Sequence, residues 1–272
     1  MPAETFIKYM DSHFGAALDA MQVYKESRKQ DDLYQVRVNL KKVRAGIESM
    51  RRIRDTGKLK RISHRISVVF REAGAIREAQ LQLTWLKQNK LLRIAEFTGI
   101  ENTLVENETR WKEDYSRQSR KLKRKHGTLV RLAGEFEADD IEACFFNFRK
   151  SFREMIQARI TVDSWHDLRK LTKKMIYSFH WLPKEQTDFL NKMVSLEQLD
   201  KLQTSIGQWH DEIVRKDWLG NKEVFLAKNP ELNQEFRKAW HKILASEIQH
   251  SKRIRSLLRL ELRKLENPVV TV

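Results

Sequence analysis

The sequence predicts an all-α fold, built as two tandem four-helix bundles related by a pseudo-twofold axis. Three observations carry that reading. No proline stands between Pro2 and Pro183, so the strongest helix breaker is absent over most of the chain. Leu, Glu, Lys, Arg, Gln and Ala dominate, all good helix formers, and short alternating β-branched runs bounded by turn residues are missing. The chain also aligns with itself. A shift of 132 sets Tyr34 on His166, Val36 on Leu168, Arg37 on Arg169, Lys41 on Lys173, Lys42 on Lys174 and Val43 on Met175. A shift of 133 sets Gly74 on Gly207, Glu78 on Asp211, Trp85 on Trp218 and Leu86 on Leu219. Matching a glycine and a tryptophan at one shift, in a chain with nine Gly and seven Trp, points to an internal duplication.

The helices follow in order. The first covers about 3–28 and the second about 31–54, with Asp31 or Asp32 as its N-terminal cap. A third region runs over about 58–98, with a bend or break near Gly74, and a fourth helix over about 101–131. After a link from Gly134 to Asp140 a second series covers about 140–160, 164–182, 187–228 and 231–266. Asp163 is placed to cap the helix of 164–182, which stops before Pro183. The expected domains are therefore an N-terminal four-helix half, 1–136, a C-terminal half, 137–266, and a loose tail, 267–272.

Composition narrows the function classes. A chain of 272 residues that is 40% hydrophobic and 33% charged can bury a core and is too apolar for wholesale disorder. The apolar runs are too short for a membrane span. The N-terminus has no basic flank followed by an apolar stretch, so no signal peptide is expected. One cysteine, Cys144, cannot make an internal disulfide, which fits a reducing compartment and a cytoplasmic location. The net charge is +16, from 53 basic and 37 acidic residues. Residues 1–136 hold 29 basic and 17 acidic, and 137–272 hold 24 and 20. Such an excess attracts polyanions: nucleic acid, an anionic membrane surface or an inorganic chain.

A helical wheel gives the charge a position. With Arg37 at the origin, Val36, Leu40, Val43 and Ile47 form a core stripe at roughly −120° to −60°. Lys41 falls near +40°, Arg44 near −20° and Arg51 near −40°, roughly beside that stripe. The helix of 164–182 repeats the layout, with Arg169 at the origin, His166 near +60°, Lys173 near +40°, His180 near +20° and Tyr177 near +80°, all roughly placed. Like charges one turn apart cost a few tenths of a kcal/mol, roughly, per pair, and a bound anion offsets that cost. The pseudo-twofold axis is expected to bring both lines into one basic groove. Arg61 and Arg65 lie one turn apart, Arg120 and Arg124 share a face with Arg117, and Lys252, Arg255 and Arg259 share another. These are candidate contributors, because arginine donates two hydrogen bonds at once to phosphate. A solvated Lys/Arg face paired with acids elsewhere explains the same pattern.

The stretch Trp165–Tyr177, WHDLRKLTKKMIY, resembles the signature of the CHAD family, the conserved-histidine α-helical domain. Its second copy here supplies His166, Arg169, Lys170, Lys173 and Lys174. The first copy, YQVRVNLKKVR, supplies Arg37, Val38, Lys41, Lys42 and Arg44. A further family element after the next helix is similar to AGAIRE, with Gly74, Arg77 and Glu78, and to IGQWHD, with Gly207, His210 and Asp211. Tyr34 stands where the first-half histidine is expected, Ile176 where an arginine is expected, and Glu78 replaces an aspartate. The resemblance implies two four-helix bundles, binding of inorganic polyphosphate without catalysis, and association with polyphosphate granules or polyphosphate-metabolising enzymes.

Catalytic signals are missing from the sequence. There is no glycine-rich phosphate loop, no HExxH and no CxxC, so neither a metal nor a cofactor is expected, and no enzyme. His210 and Asp211 are read as structural, at a helix start near Gly207. Trp85 and Trp218 are read as equivalent core anchors, Trp165 and Trp181 as edges of the second basic line, and Cys144 as core. The alternative is a nucleic-acid-binding helical protein, for which no helix-turn-helix, RNP aromatics or basic zipper is found.

Overall fold

The computed structural model describes residues 2–92, 95–158, 160–182, 187, 195–220 and 233–266. Among them lie eight α-helices and one 3-10 turn: α1 (Pro2–Ser27), α2 (Gln30–Ile53), α3 (Gly57–Gln88), α4 (Ala95–Ala133), α5 (Ala138–Gln157), the 3-10 turn Val162–Ser164, α6 (Trp165–Phe179), α7 (Leu196–Leu219) and α8 (Asn233–Glu266). The all-α class stands. The described residues contain no helix long and apolar enough to cross a membrane. The tail 267–272, residues 188–194 and 221–228 of the expected seventh helix, and Pro183 lie outside the described residues.

The helix ends show where local signals misled. α3 passes through Gly74 without a break and stops at Gln88, short of the expected 98. Lys90 adopts a left-handed φ of 59°. Its N–H donates to Lys87 O (3.2 Å) and Leu91 N–H to Leu86 O (2.9 Å), which is a Schellman closure made without glycine. Fully buried Leu91 anchors it. Asp31 and Asp32 do not cap α2. The N-cap is Lys29, and the two acids fill the first turn, where their charge meets the positive end of the helix. Asp163 sits inside the 3-10 turn rather than at a cap. Real side-chain caps are Thr56, accepting from Leu59 N, and Ser195, accepting from Gln198 N.

The chain divides into two compact units, residues 1–144 with 180–183, and residues 145–179 with 184–272. In the first, α1 packs on α2 and α4, and α3 packs on α2 and α4. α1 and α3 therefore stand between α2 and α4, which occupy opposite corners of a four-helix bundle. Met10, Phe14, Leu33, Leu40, Ile66 and Val69 are among its fully buried side chains. Met10 and Phe6 of α1 pack against Gly46 of α2, in the space a side chain there would take. In the second unit α7 packs against both α6 and α8. Trp165 meets Trp209 edge-on at 4.8 Å and Phe145 meets Phe179 at 5.1 Å. Between α7 and α8, Ser246 Oγ donates to Glu212 at 2.9 Å and Lys216 to Glu247 at 2.9 Å.

Tryptophan positions differ from expectation. Trp165 and Trp181 are buried in the core at 2% and 1% exposure, and Trp181 belongs to the first unit, against Phe6 and Tyr9. Trp85 and Trp218 are only half-buried. Large indoles bury wherever packing leaves room, which their shared spacing does not reveal. Cys144 is core, 2% exposed, with its Sγ 3.5 Å from Ser49 O.

Candidate anion-binding site

The α2 line is organised by one aromatic ring. Phe70 of α3 lies under three cations: Arg37 Cζ at 4.4 Å from the ring centroid, Arg44 Cζ at 4.7 Å and Lys41 Nζ at 5.9 Å. A ring face attracts cations by its quadrupole, so Phe70 gathers charges that would otherwise separate. Arg37 Nη1 also donates to the Phe70 carbonyl at 3.1 Å. The guanidinium passes over Gly74, where an added Cβ would stand 2.8 Å from Nη1. Arg37 is held below the usual arginine value by burial first, then by Arg77 and Arg44, with Glu78 acting the other way. Burial does the same to Arg44, against Glu48. Arg37 thus carries its charge half-buried, and its strongest charged neighbours are cations.

The second unit repeats the central element. Arg169 of α6 lies on Gly207 of α7, with Nη2 at 2.8 Å and Nε at 3.2 Å from an added Cβ. Its Nε is buried without a hydrogen-bond partner among the described residues. His166, exposed on the same helix, faces His210 with ring centroids 5.0 Å apart. Burial lowers the His166 pKa, followed by Lys170 and His210, with Asp167 opposing. Lys173 and Tyr177 are half-buried on α6. Gly207 and His210 are in the middle of α7, so His210 and Asp211 do not begin a helix. The Gly207 signal marks a close approach instead.

The remaining candidates scatter. Arg51 is paired with Asp55, Nε to Oδ1 at 2.9 Å. Arg61 and Arg65 lie roughly 180° and 140° around α3 from Phe70, away from the ring that gathers the others. Arg120 and Arg124 are exposed on α4, at the corner diagonal to α2. Lys252, Arg255 and Arg259 are exposed on α8, whose inner face is Ile254 and Leu258. His180 leaves the α6 line: the helix ends at Phe179 and His180 falls with the first unit. Wheel positions cannot show this, because they presume the helix continues.

Two participants escaped the sequence reading of the site, Phe70 and Arg77. Arg77 was legible in the AGAIRE element. Phe70 carried no signal, since an aromatic on an amphipathic helix reads as core. No group of three His, Cys, Asp or Glu among the described residues could hold a metal ion.

A CHAD domain family model matches residues 12–220. The crystal structure of the CHAD domain from the plant Ricinus communis is similar, with a TM-score of 0.67 at 17% identity, over 94% of this chain and 91% of that one. No curated protein matches the sequence.

Proposed function

We infer that this chain, which belongs to the CHAD domain family, is a non-catalytic protein that binds inorganic polyphosphate on the cation lines of α2 and α6. Family membership supports the class of ligand. The observation that carries the reading is the repeated arginine over glycine, Arg37 on Gly74 and Arg169 on Gly207. Each removes a side chain from the neighbouring helix and lays a planar donor fork in its place. Such forks match phosphate oxygens two at a time. A regular chain of phosphates presents no bases, so the single ring of Phe70, already covered by cations, is not required as a stacking platform. The protein resides where polyphosphate collects, in the cytoplasm and at its granules.

The test is direct. Long-chain polyphosphate and a random DNA duplex compete for the protein at equal charge and physiological salt. Polyphosphate is expected to win, and preference for the duplex overturns the reading in favour of nucleic acid. Both weaken with salt through counterion release, so salt dependence alone does not separate them. Replacing Arg37, Lys41, Arg169 and Lys173 by alanine is expected to weaken polyphosphate binding by about a hundredfold or more with helicity retained. Release of phosphate from polyphosphate with Mg²⁺ or Mn²⁺, lost in a point variant, overturns the non-catalytic part.

A further inference from the structure

The first unit carries another set of basic side chains, on the side of α2 that faces α1. Asn39 of α2 uses its Nδ2 to donate to Gln35 O at 3.0 Å. Its Oδ1 lies 2.9 Å from Nδ1 of His13 on α1. With the amide oxygen as acceptor, His13 holds its proton on Nδ1, and Nε2 is the nitrogen left to gain one. Tyr9 meets the imidazole edge-on at 4.4 Å and fixes its plane. Trp181 packs on Phe6 at 5.3 Å and on Tyr9 at 5.7 Å, which brings the preceding residue, His180, to the same end of α1. Lys42 stands one turn beyond Asn39, half-buried.

Among the described residues these three groups act on one another and no acid acts on them. Among the described residues, Lys42 and His180 are the charges that act on His13, and Lys42 the one that acts on His180. Burial is the larger cause in each, and both imidazoles are held below the ordinary histidine value. His180 keeps much of its surface in solvent. Burial also lowers Lys42. On α2 the neighbouring Lys41 reaches to Phe70 on the α3 side. α4 packs on α1 as well, and there His126 Nε2 lies 2.8 Å from Asp11 Oδ1, roughly opposite His13 on the α1 wheel. That pair keeps its acid away from the cluster.

The geometry points to a second anion subsite, in which His13, Lys42 and His180 hold one phosphoryl group and the imidazoles take up protons as it binds. Each proton comes from solvent onto a ring nitrogen, and no bond in the ligand breaks. The subsite rests on the polyphosphate reading only for the class of ligand. It makes the grip tighten on acidification, because a bound anion stabilises imidazolium.

Tripolyphosphate is the probe, with the full chain, at about pH 6 and about pH 7.5, spanning the histidine range. Histidine ring C–H resonances are followed, assigned with H13Q and H180Q. The midpoints of His13 and His180 are expected to rise by about one unit with ligand, and affinity to be about tenfold higher at the lower pH. The H13Q/H180Q pair is expected to lose most of that gain. If it does not fold, K42Q is expected to reduce both the midpoint shifts and the gain. Binding that leaves the two midpoints where they were overturns the subsite and spares the polyphosphate reading. Shifts that persist in R37A/R169A with unchanged affinity support the subsite and overturn the α2 and α6 lines. No binding at either pH overturns both.

Discussion

Arg37 and Gly74 are fitted to each other: the guanidinium of one fills the space a side chain on the other would take, with Nη1 2.8 Å from the position of an added Cβ. Arg169 and Gly207 are fitted in the same way at 2.8 Å. The atom displaced by a new methyl is the far end of a flexible side chain. G74A and G207A therefore gain about 0.5–1 kcal/mol of helix propensity while moving the arginines. The expected outcome is an unchanged or raised melting temperature with polyphosphate affinity reduced about tenfold, one lost charge-assisted contact. Calorimetric titration beside a thermal melt checks both signs.

Gly46 behaves oppositely. An added Cβ there meets Met10 Sδ, and Met10 is fully buried. Neither helix can yield without disturbing the α1–α2 contact, so G46A is expected to cost about 1–3 kcal/mol. Urea denaturation should show that loss. Once the folded fraction is corrected for, polyphosphate affinity is expected to be unchanged.

Phe70 gathers three cations, and F70L keeps volume while removing the ring face. Cation–π contacts contribute about 0.5–1 kcal/mol each when exposed. F70L is expected to lower polyphosphate affinity by about threefold to tenfold through a looser arrangement of Arg37, Lys41 and Arg44. R44A measured in both backgrounds tests it: a smaller effect in F70L than in the parent is the predicted coupling.

The pH dependence of stability has a defined sign. His13, His166 and His180 all have folded values below the ordinary one, burial being the first cause in each. Below the unfolded value of about 6.5 the unfolded chain binds more protons than the native one, so their contribution is present above that value and is lost as pH falls from there through the lowered folded values. Without ligand, the urea midpoint is expected to fall between about pH 7.5 and pH 5.5. Saturating tripolyphosphate is expected to reduce that fall, since the bound anion favours the protonated rings. Glu72, raised by burial and then by Asp114, acts in the opposite sense only at lower pH.

Cys144 offers a probe of opening. Burial pushes its thiol up to about 11, and the thiolate is the reactive species. At about pH 8, where a free thiol reacts readily, modification by a disulfide reagent is expected to be at least about a hundredfold slower in the native protein than in urea. A fast native reaction would show that this part of the first unit opens readily.

Much of the fold was legible because its signals are local. The absence of proline from 3 to 182 and the 3.6-residue periodicity lie in the chain itself, and they yield helices close to α1, α2, α5 and α6. The failures are also physical. α3 ends at a Schellman closure on Lys90, which has no glycine to announce it. Gly74 suggested a break because a glycine inside a helix usually weakens it, but here its missing side chain makes room for Arg37.

The sequence by itself determined the all-α class, the family, the cationic character and the pairing of Arg37 with Arg169 and Gly74 with Gly207, since each rests on composition, period or motif. Only the tertiary structure decided which cations share a surface. That depends on which helices pack together, and α1 and α3 separate Arg37 from Arg120 and Arg124, while the end of α6 at Phe179 sends His180 to Lys42 and His13. A wheel orders the residues around one axis, whereas a binding surface is assembled across several.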